Sequence, residues 1–334
     1  MKMTRVGTCA ALIVSLLTCS LVCAGQPPSA KSSAAADYPA KPIRIIAPFP
    51  PGGGLDIMAR IIAQYLTEMW GQQGVVDNRP GAGGSIGAAI AARAAADGYT
   101  LLIVSSAHTI NATLYRHLPY DTLNDFDPVL LVTAAPHLLV VHPSFPASTV
   151  KELIALAKSK PGQIAYASGG LGSSTHLAAE LFKNMAAIDL LHVPYKGTAP
   201  SLIDVLSGQV PVTFGTVPTV LQHIKAGKLR ALGLSGANRS LSAPDVPTIA
   251  EAGVPGYEAA TWHGVLVPAH TPLPIIAKLN KEIVGMLNNA EVRGRIVHEG
   301  LEPLGSTPEQ FGAHLRAEVP KWGQVIRRAG LRAQ

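Results

Sequence analysis

Cysteine is nearly absent from this chain: three residues, Cys9, Cys19 and Cys23, all near the N-terminus. From Ala24 onward there is none, which excludes a disulfide framework, a thiolate nucleophile and a cysteine metal site there. Aromatic residues are only 5% of the chain and charged residues only 14%. The lysines and arginines are scattered, with Arg327-Arg328 the densest spot. No basic stripe with interleaved aromatics exists to grip a nucleic acid. Long apolar runs are scarce too: beyond the first 24 residues none is long and charge-free enough to cross a membrane.

What is present begins with a leader. Lys2 and Arg5 precede the apolar run GTCAALIVSLLTCSLV, and Val22-Cys23-Ala24 offers small residues at a cleavage point. Residues 1–24 therefore read as a secretory signal peptide cut after Ala24. The residues flanking Cys19 and Cys23 are a poor match to a lipoprotein site. Residues 25–37, polar and proline-rich, read as a flexible tether. The formal charge of +6 falls to +4 once Lys2 and Arg5 leave with the leader, a mild positive balance that favours small anions.

From Pro42 the chain alternates strands and helices. IRIIAPF (43–49) is a β-branched run, followed by PPGGG and a helix whose face is expected through Ile57, Ile61, Tyr65 and Met69. GVVDN (74–78) leads into RPGAGGS and an alanine-rich helix, and YTLLIVS (99–105) is the next strand. Strand, loop and helix at this spacing predict a parallel α/β sheet. A second set follows: Thr149 and Glu152 as a capping pair, IAYAS (164–168), LLHVPY (190–195), VPVTFG (210–215) and LRALGLS (229–235), with helices between. Two lobes fit better than one sheet. The extended segments 127–144 and 260–272 predict two crossovers, with domain 1 as residues 38–140, an inserted domain 2 as 141–261, and a helical return to domain 1 over 262–334. Thr307-Pro308-Glu309-Gln310 predicts a capping box with proline at the first helical position.

In open α/β sheets, ligands sit beyond the carboxyl ends of the strands, where helices begin. PFPPGGGLD, NRPGAGGS, SSAHTIN, SGGLGSSTH and YKGTAP have that address. Free amides and the helix dipole there can hold an anion. None is a nucleotide motif: the glycine loop at 52–54 lacks Gly-Lys-Ser/Thr, and Ile57 and Ile86 stand where the dinucleotide fingerprint wants glycine. Asp56 either caps its own helix or grips a water or an ammonium group on a ligand. Ser173, Ser174 and Thr175 offer more hydroxyls than one cap needs, and Lys196, Gly197 and Thr198 repeat the arrangement. G-x-S-x-G and H-E-x-x-H are absent, and His108, His117, His137, His142, His176 and His192 show no metal-ligand spacing. No reaction is named by these residues, so the expectation is a protein that is not an enzyme, with no cofactor and no metal.

Several stretches, in order, resemble the Bug-type periplasmic solute-binding proteins of tripartite tricarboxylate transporters. They are YPAKPIRIIAPFPPGGGLDIMAR, VVDNRPGAGGSIGAA, DGYTLL, YASGGLGSSTHLAAELF, VPYKGTAPSLIDVLSGQV, IKAGKLRALGLS, PDVPTIAEAGVPGYEAATWHGVLVPAHTP and GLEPLGSTPEQF, from Tyr38 to Phe311. The resemblance implies a two-domain α/β periplasmic binding protein that closes like a flytrap on a ligand cleft. It implies a small organic acid as cargo, held by amides, hydroxyls and waters, and large and small membrane permease subunits as partners. The protein is expected in the periplasm as a monomer, without nucleic acid. Carried over residue by residue, the domain 1 wall is Phe49, Pro51, Gly52, Ser106, His108 and Asn111. The domain 2 wall is Gly170, Gly172, Ser173, Ser174, His176, Gly197 and Thr198. One departure stands out: Gly215-Thr216 follows VPVTF, where the family commonly has an acidic or amide residue. A ligand-binding partner of a membrane sensor kinase, without a transport role, is the alternative.

Overall fold

The computed structural model describes residues 37–195, 198–240 and 242–331. The expected signal peptide, and the tether up to residue 36, lie outside them. The elements in order are β1 (Ile43–Ala47), α1 (Gly54–Trp70), β2 (Gly74–Asn78), α2 (Ser85–Ala92), β3 (Thr100–Ser105), α3 (Ala107–Leu114), β4 (Phe126–Ala135), β5 (His137–Val141), α4 (Val150–Ser159), β6 (Ala165–Ser168), α5 (Ser174–Ala186), β7 (Leu191–Pro194), α6 (Thr198–Leu206), β8 (Val212–Thr216), α7 (Val217–Lys225), β9 (Arg230–Leu234), β10 (Thr261–Pro268), α8 (Leu273–Asn288), α9 (Ala290–His298), β11 (Glu302–Pro303) and α10 (Pro308–Arg328).

They form two α/β lobes. The first sheet runs β11-β4-β10-β3-β1-β2 and the second β7-β6-β8-β5-β9. In each sheet the period-two alternation of a strand splits its side chains between two cores. Ile43, Ile45 and Ala47 face one apolar cluster with α1 and α8, while Ile46 faces the other with α2. Leu139 and Val141 of β5 face α5, while Leu138 and Val140 face the opposite cluster. Each fully buried Ile or Leu contributes roughly 1.5–3 kcal/mol by leaving water.

Three expectations need correction. The first crossover falls at Pro136 rather than after residue 140: β5 bonds β8 and β9, so it belongs to the second sheet. The buried face of α1 is Leu55, Met58, Ala59, Ile62 and Leu66, with Ile61 also inside, while Met69 is 54% exposed and Ile57 and Tyr65 are only half-buried. The row through Ile57 and Tyr65 is the edge of the apolar stripe, because a sheet-facing helix buries the i, i+3, i+4 set and not a single i+4 row. Finally, the C-terminal segment does not return wholly to the first lobe. Phe311 and Leu315 of α10 pack with Trp262 and β3, whereas Trp322, Val325 and Ile326 join the core of the second lobe beside Leu177 and Phe182.

Helix α10 therefore ties the lobes together. It opens with the expected capping box, in which Thr307 Oγ1 accepts from Gln310 N–H and Gln310 Oε1 accepts from Thr307 N–H. Between its two packing regions lies Pro320, which denies the carbonyl of Arg316 its helical donor. Nearby, the buried carboxylate of Glu318 accepts from the indole N–H of Trp262 at 3.0 Å and of Trp322 at 2.6 Å, and from Lys321 at 2.6 Å.

Candidate functional site

Strand register places the two sets of loops at one crossing. Ser105, the end of β3, pairs with His263, and Ala135, the end of β4, pairs with Thr261. In the second sheet His137 pairs with Thr216, the end of β8, which lies parallel to β6. The carboxyl ends of both sheets thus lie at the segments that carry the chain between them, at Pro136 and just before Thr261.

On the first-lobe side, α1, α2 and α3 all begin without a side-chain cap. The first N–H groups of α1 and α3 have no intrahelical acceptor, while that of α2, on Ser85, bonds the Ala82 carbonyl of a preceding 3-10 turn. Gly53 is the N-cap of α1, so Asp56 is not the cap: it stands three residues into the helix. Its buried carboxylate instead ties the glycine loop down. It accepts from Gly52 N–H at 2.9 Å, from Asn78 Nδ2 at 2.9 Å and from Arg60 Nε and Nη2 at 2.9 and 3.1 Å. Burial alone would raise its pKa, but the bonds from Arg60, Gly52 and Asn78 outweigh that and hold it below the ordinary carboxylate value. Asn78 also donates to the Phe49 carbonyl at 3.0 Å. Neither Asn78 nor Arg60 was expected as a support, since nothing in GVVDN marks a residue that packs under another loop.

A cavity of about 10 Å³, room for one water, is lined by Phe49, His108 and Asn111 together with Pro48, Gly83, Gly84 and Tyr120. Asn111 donates to the Gly83 carbonyl at 2.9 Å, and a Cβ on Gly84 would stand 3.2 Å from the Phe49 ring. Glycine is needed there twice over, because Gly84 also has φ of 94°. His108 is buried. Its Nε2 meets the Thr122 carbonyl at 3.0 Å and its ring stacks on Tyr120. Burial pushes its pKa down to about 4. Pro51 and Gly52 stand at the exposed rim, while Ser106 is buried at the start of α3. His263 was not anticipated: it is buried on β10, bonds Thr133 Oγ1 at 2.9 Å and lies 3.6 Å from where a Gly54 Cβ would be. It backs the N-terminus of α1, a relation that the stretch ATWHGVLVP does not reveal.

On the second-lobe side, the loop 169–173 is organised by its own polar groups. Ser173 caps α5, accepting from His176 N–H at 3.3 Å, and donates to the Gly170 carbonyl at 2.7 Å. Thr175 Oγ1 accepts from Gly169 N–H at 2.9 Å. Gly170 and Gly172 have φ of 121° and 73°. Ser174 is half-buried at the first turn. Thr198, exposed at the start of α6, is brought beside this loop, its N 3.6 Å from where a Gly169 Cβ would stand. Gly197 and Lys196 lie outside the described residues. His176 is buried, its Nδ1 accepting from Gly172 N–H at 3.0 Å. Loops 48–53, 105–106 and 169–173 contain no Lys or Arg. An anion between them would be met by amides and hydroxyls. Gly215 is packed: a Cβ there would stand 2.2 Å from Val220 Cγ1. Among the described residues no cluster of His, Cys, Asp or Glu could hold a metal ion.

The family described as "Tripartite tricarboxylate transporter family receptor" (TctC) matches residues 58–331. The chain belongs to that family. Protein BugT of Bordetella pertussis is 41% identical over 295 residues, 88% of this chain and 90% of that protein. Among solved structures, R. palustris Rpa4515 with adipate overlays with a TM-score of 0.71 at 38% identity, covering 89% of this chain and 99% of the other. A ligand-free TctC solute binding protein from Polaromonas overlays at 0.80 with 26% identity, covering 87% and 99%.

Proposed function

We propose that this TctC-family protein is an exported binding protein that captures a small carboxylate between its lobes and hands it to a tripartite tricarboxylate-type permease. The carrying observation is the pairing of the uncapped starts of α1 and α3 in the first lobe with the Ser173–Thr175 turn in the second, where loops 48–53, 105–106 and 169–173 carry no Lys or Arg. Such a site offers an acid fixed amide and hydroxyl donors. The adipate bound by the R. palustris relative supports a carboxylate class. The better overlay with the ligand-free relative, despite lower identity, supports reading this conformation as an unclosed cleft.

In this reading Phe49, Pro51, Gly52 and Asn111 form the first wall, Gly170, Gly172, Ser173, Ser174, Gly197 and Thr198 the second, and Ser106, His108 and His176 support them from inside. No residue is asked to move a bond, so the protein is not an enzyme. Residues 1–24 direct it to the periplasm, and N-terminal sequencing of the exported form should begin at Gly25.

The test is a thermal-shift screen of the mature protein with adipate, other carboxylates, sulfonates and sugars. Ligand at 100 times its Kd stabilises the native state by about 2.7 kcal/mol. Stabilisation by another class and by no carboxylate overturns the cargo assignment. Crosslinking to the permease's large and small subunits in membranes, enhanced by ligand, tests the delivery step.

A further inference from the structure

Beneath the loop 169–173 lies a buried polar cluster that the binding walls alone do not explain. The rings of His176 on α5 and His192 on β7 stack with centroids 4.0 Å apart and planes 9° from parallel. Tyr166 of β6 stacks on His192 at 4.9 Å. Tyr166 donates its hydroxyl to Glu180 Oε1 at 2.8 Å, and Lys183 donates to the same oxygen at 2.9 Å.

Each imidazole reaches the loop from a different end. His176 Nδ1 accepts the N–H of Gly172, so in the neutral ring the proton is on Nε2, facing Glu180 Oε1 at 3.9 Å. His192 Nε2 lies 2.7 Å from Ser168 Oγ. With Nε2 unprotonated, the single hydroxyl proton of Ser168 goes to this short contact rather than to the Gly170 carbonyl at 3.4 Å. The Ser168 oxygen is then free to accept Gly170 N–H at 3.1 Å. Two donors of a glycine-rich loop are thereby held inward, Gly172 N–H directly by the His176 nitrogen and Gly170 N–H by Ser168 Oγ, which His192 contacts in turn. At Gly170 and Gly172, with positive φ, the backbone could otherwise adopt other conformations at little cost.

The geometry points to His176 and His192 as positioning residues: as neutral acceptors they orient the Gly170–Ser174 segment so that its remaining donors face the cargo. The assignment rests on the binding function proposed above. Protonation of His176 would set a donor opposite the Gly172 N–H and so release the loop in acid, whereas opposite a protonated His192 the Ser168 hydroxyl could turn its proton to the Gly170 carbonyl. The groups facing the pair are Tyr166, Glu180 and Lys183, with Asp189 3.7 Å from Lys183. For His176, burial, the neighbouring His192 and Lys183 oppose the cation while Glu180 favours it, and the balance lowers its pKa to about 4.

The experiment compares ring replacements that keep or lose the acceptor. Asparagine places an oxygen near Nδ1 of position 176, and glutamine one near Nε2 of position 192; phenylalanine keeps only the stacking. At pH 7.5 we expect His176→Phe and His192→Phe to weaken adipate binding tenfold or more, and His176→Asn and His192→Gln to stay within threefold of wild type. Equal loss in both members of a pair, or no loss with phenylalanine, overturns the proposal. A second measurement needs neither cargo nor variant: the Gly172 amide resonance of the empty wild-type protein should move together with the His176 ring as pH falls toward 4. A ring that titrates without moving Gly172 overturns it as well. Wild type that binds no carboxylate, with Gly172 still following His176, would instead sink the cargo reading while the loop-positioning role survives.

Discussion

Asp56→Ala is the most informative perturbation of the first wall, because four donors converge on one buried carboxylate. The Arg60 partner is 54% exposed, so solvent screens that pair and it adds little. Gly52 is exposed and its N–H returns to water, while Asn78 Nδ2 keeps the Phe49 carbonyl. The bonds from Gly52 and Asn78 are then worth about 1 kcal/mol each, for a total of roughly 2 kcal/mol. Urea denaturation reads this directly. Asp56→Asn should cost nearly as much, because every partner is a donor and the new amide turns an NH₂ toward donors. With the loop 49–53 no longer tied to α1 and β2, carboxylate binding should weaken about tenfold. The carboxyl has a depressed folded pKa, so its contribution is present above its ordinary value of 3.8 and is lost as pH falls through the lower folded value. An Asn variant with wild-type stability and affinity would refute this account of the loop.

Three further outcomes are expected. Ser174→Ala should weaken carboxylate binding by roughly 1–3 kcal/mol, the cost of leaving a buried partner unpaired, with an unchanged unfolding midpoint; unchanged affinity in calorimetry would make Ser174 only a helix-start residue. Glu318→Ala strands the indole N–H groups of Trp262 and Trp322, both 3% exposed, and should destabilise by about 3–5 kcal/mol with a shift in tryptophan emission; a wild-type denaturation curve would show that the tie across α10 is dispensable. His108, His137 and His263 are each held by burial at about 4, below the ordinary 6.5. The unfolded chain therefore binds more protons between those values, and stability should be full above pH 6.5 and fall as pH drops toward 4. A melting temperature that stays flat from pH 7 to 4.5 contradicts that burial.

Much of the architecture was legible because it is local. GVVDN is a strand at the expected residues, and the Thr307–Gln310 capping box forms as its spacing requires. The glycine loops fall at the carboxyl ends of strands because βα connections put them there. Contacts between lobes were less readable. No periodicity in α10 says that Phe311 serves one core and Trp322 the other, since both lie on an ordinary apolar face. The crossover at Pro136 was displaced in the reading because β4 and β5 form one nearly continuous apolar stretch, and only hydrogen-bond partners divide it between sheets.

By itself, the sequence determined the alternation of strands and helices, the glycine-rich loops at the helix starts and the lack of cysteine from Ala24 onward, all from short-range pattern and composition. The kinship with the transporter receptors was visible separately, as a resemblance of whole stretches from Tyr38 to Phe311. The tertiary structure alone decided which polar groups were already committed. It bonded Asp56 to Gly52, Asn78 and Arg60, and turned His176 inward to the Gly172 amide beside His192. It left Ser174 half-buried and Thr198 exposed at the starts of their helices. The physical reason is that a donor or acceptor is satisfied by whatever the fold carries to within about 3 Å, and residues as distant as Asp56 and Asn78, or Ser168 and His192, meet only once the sheet is paired.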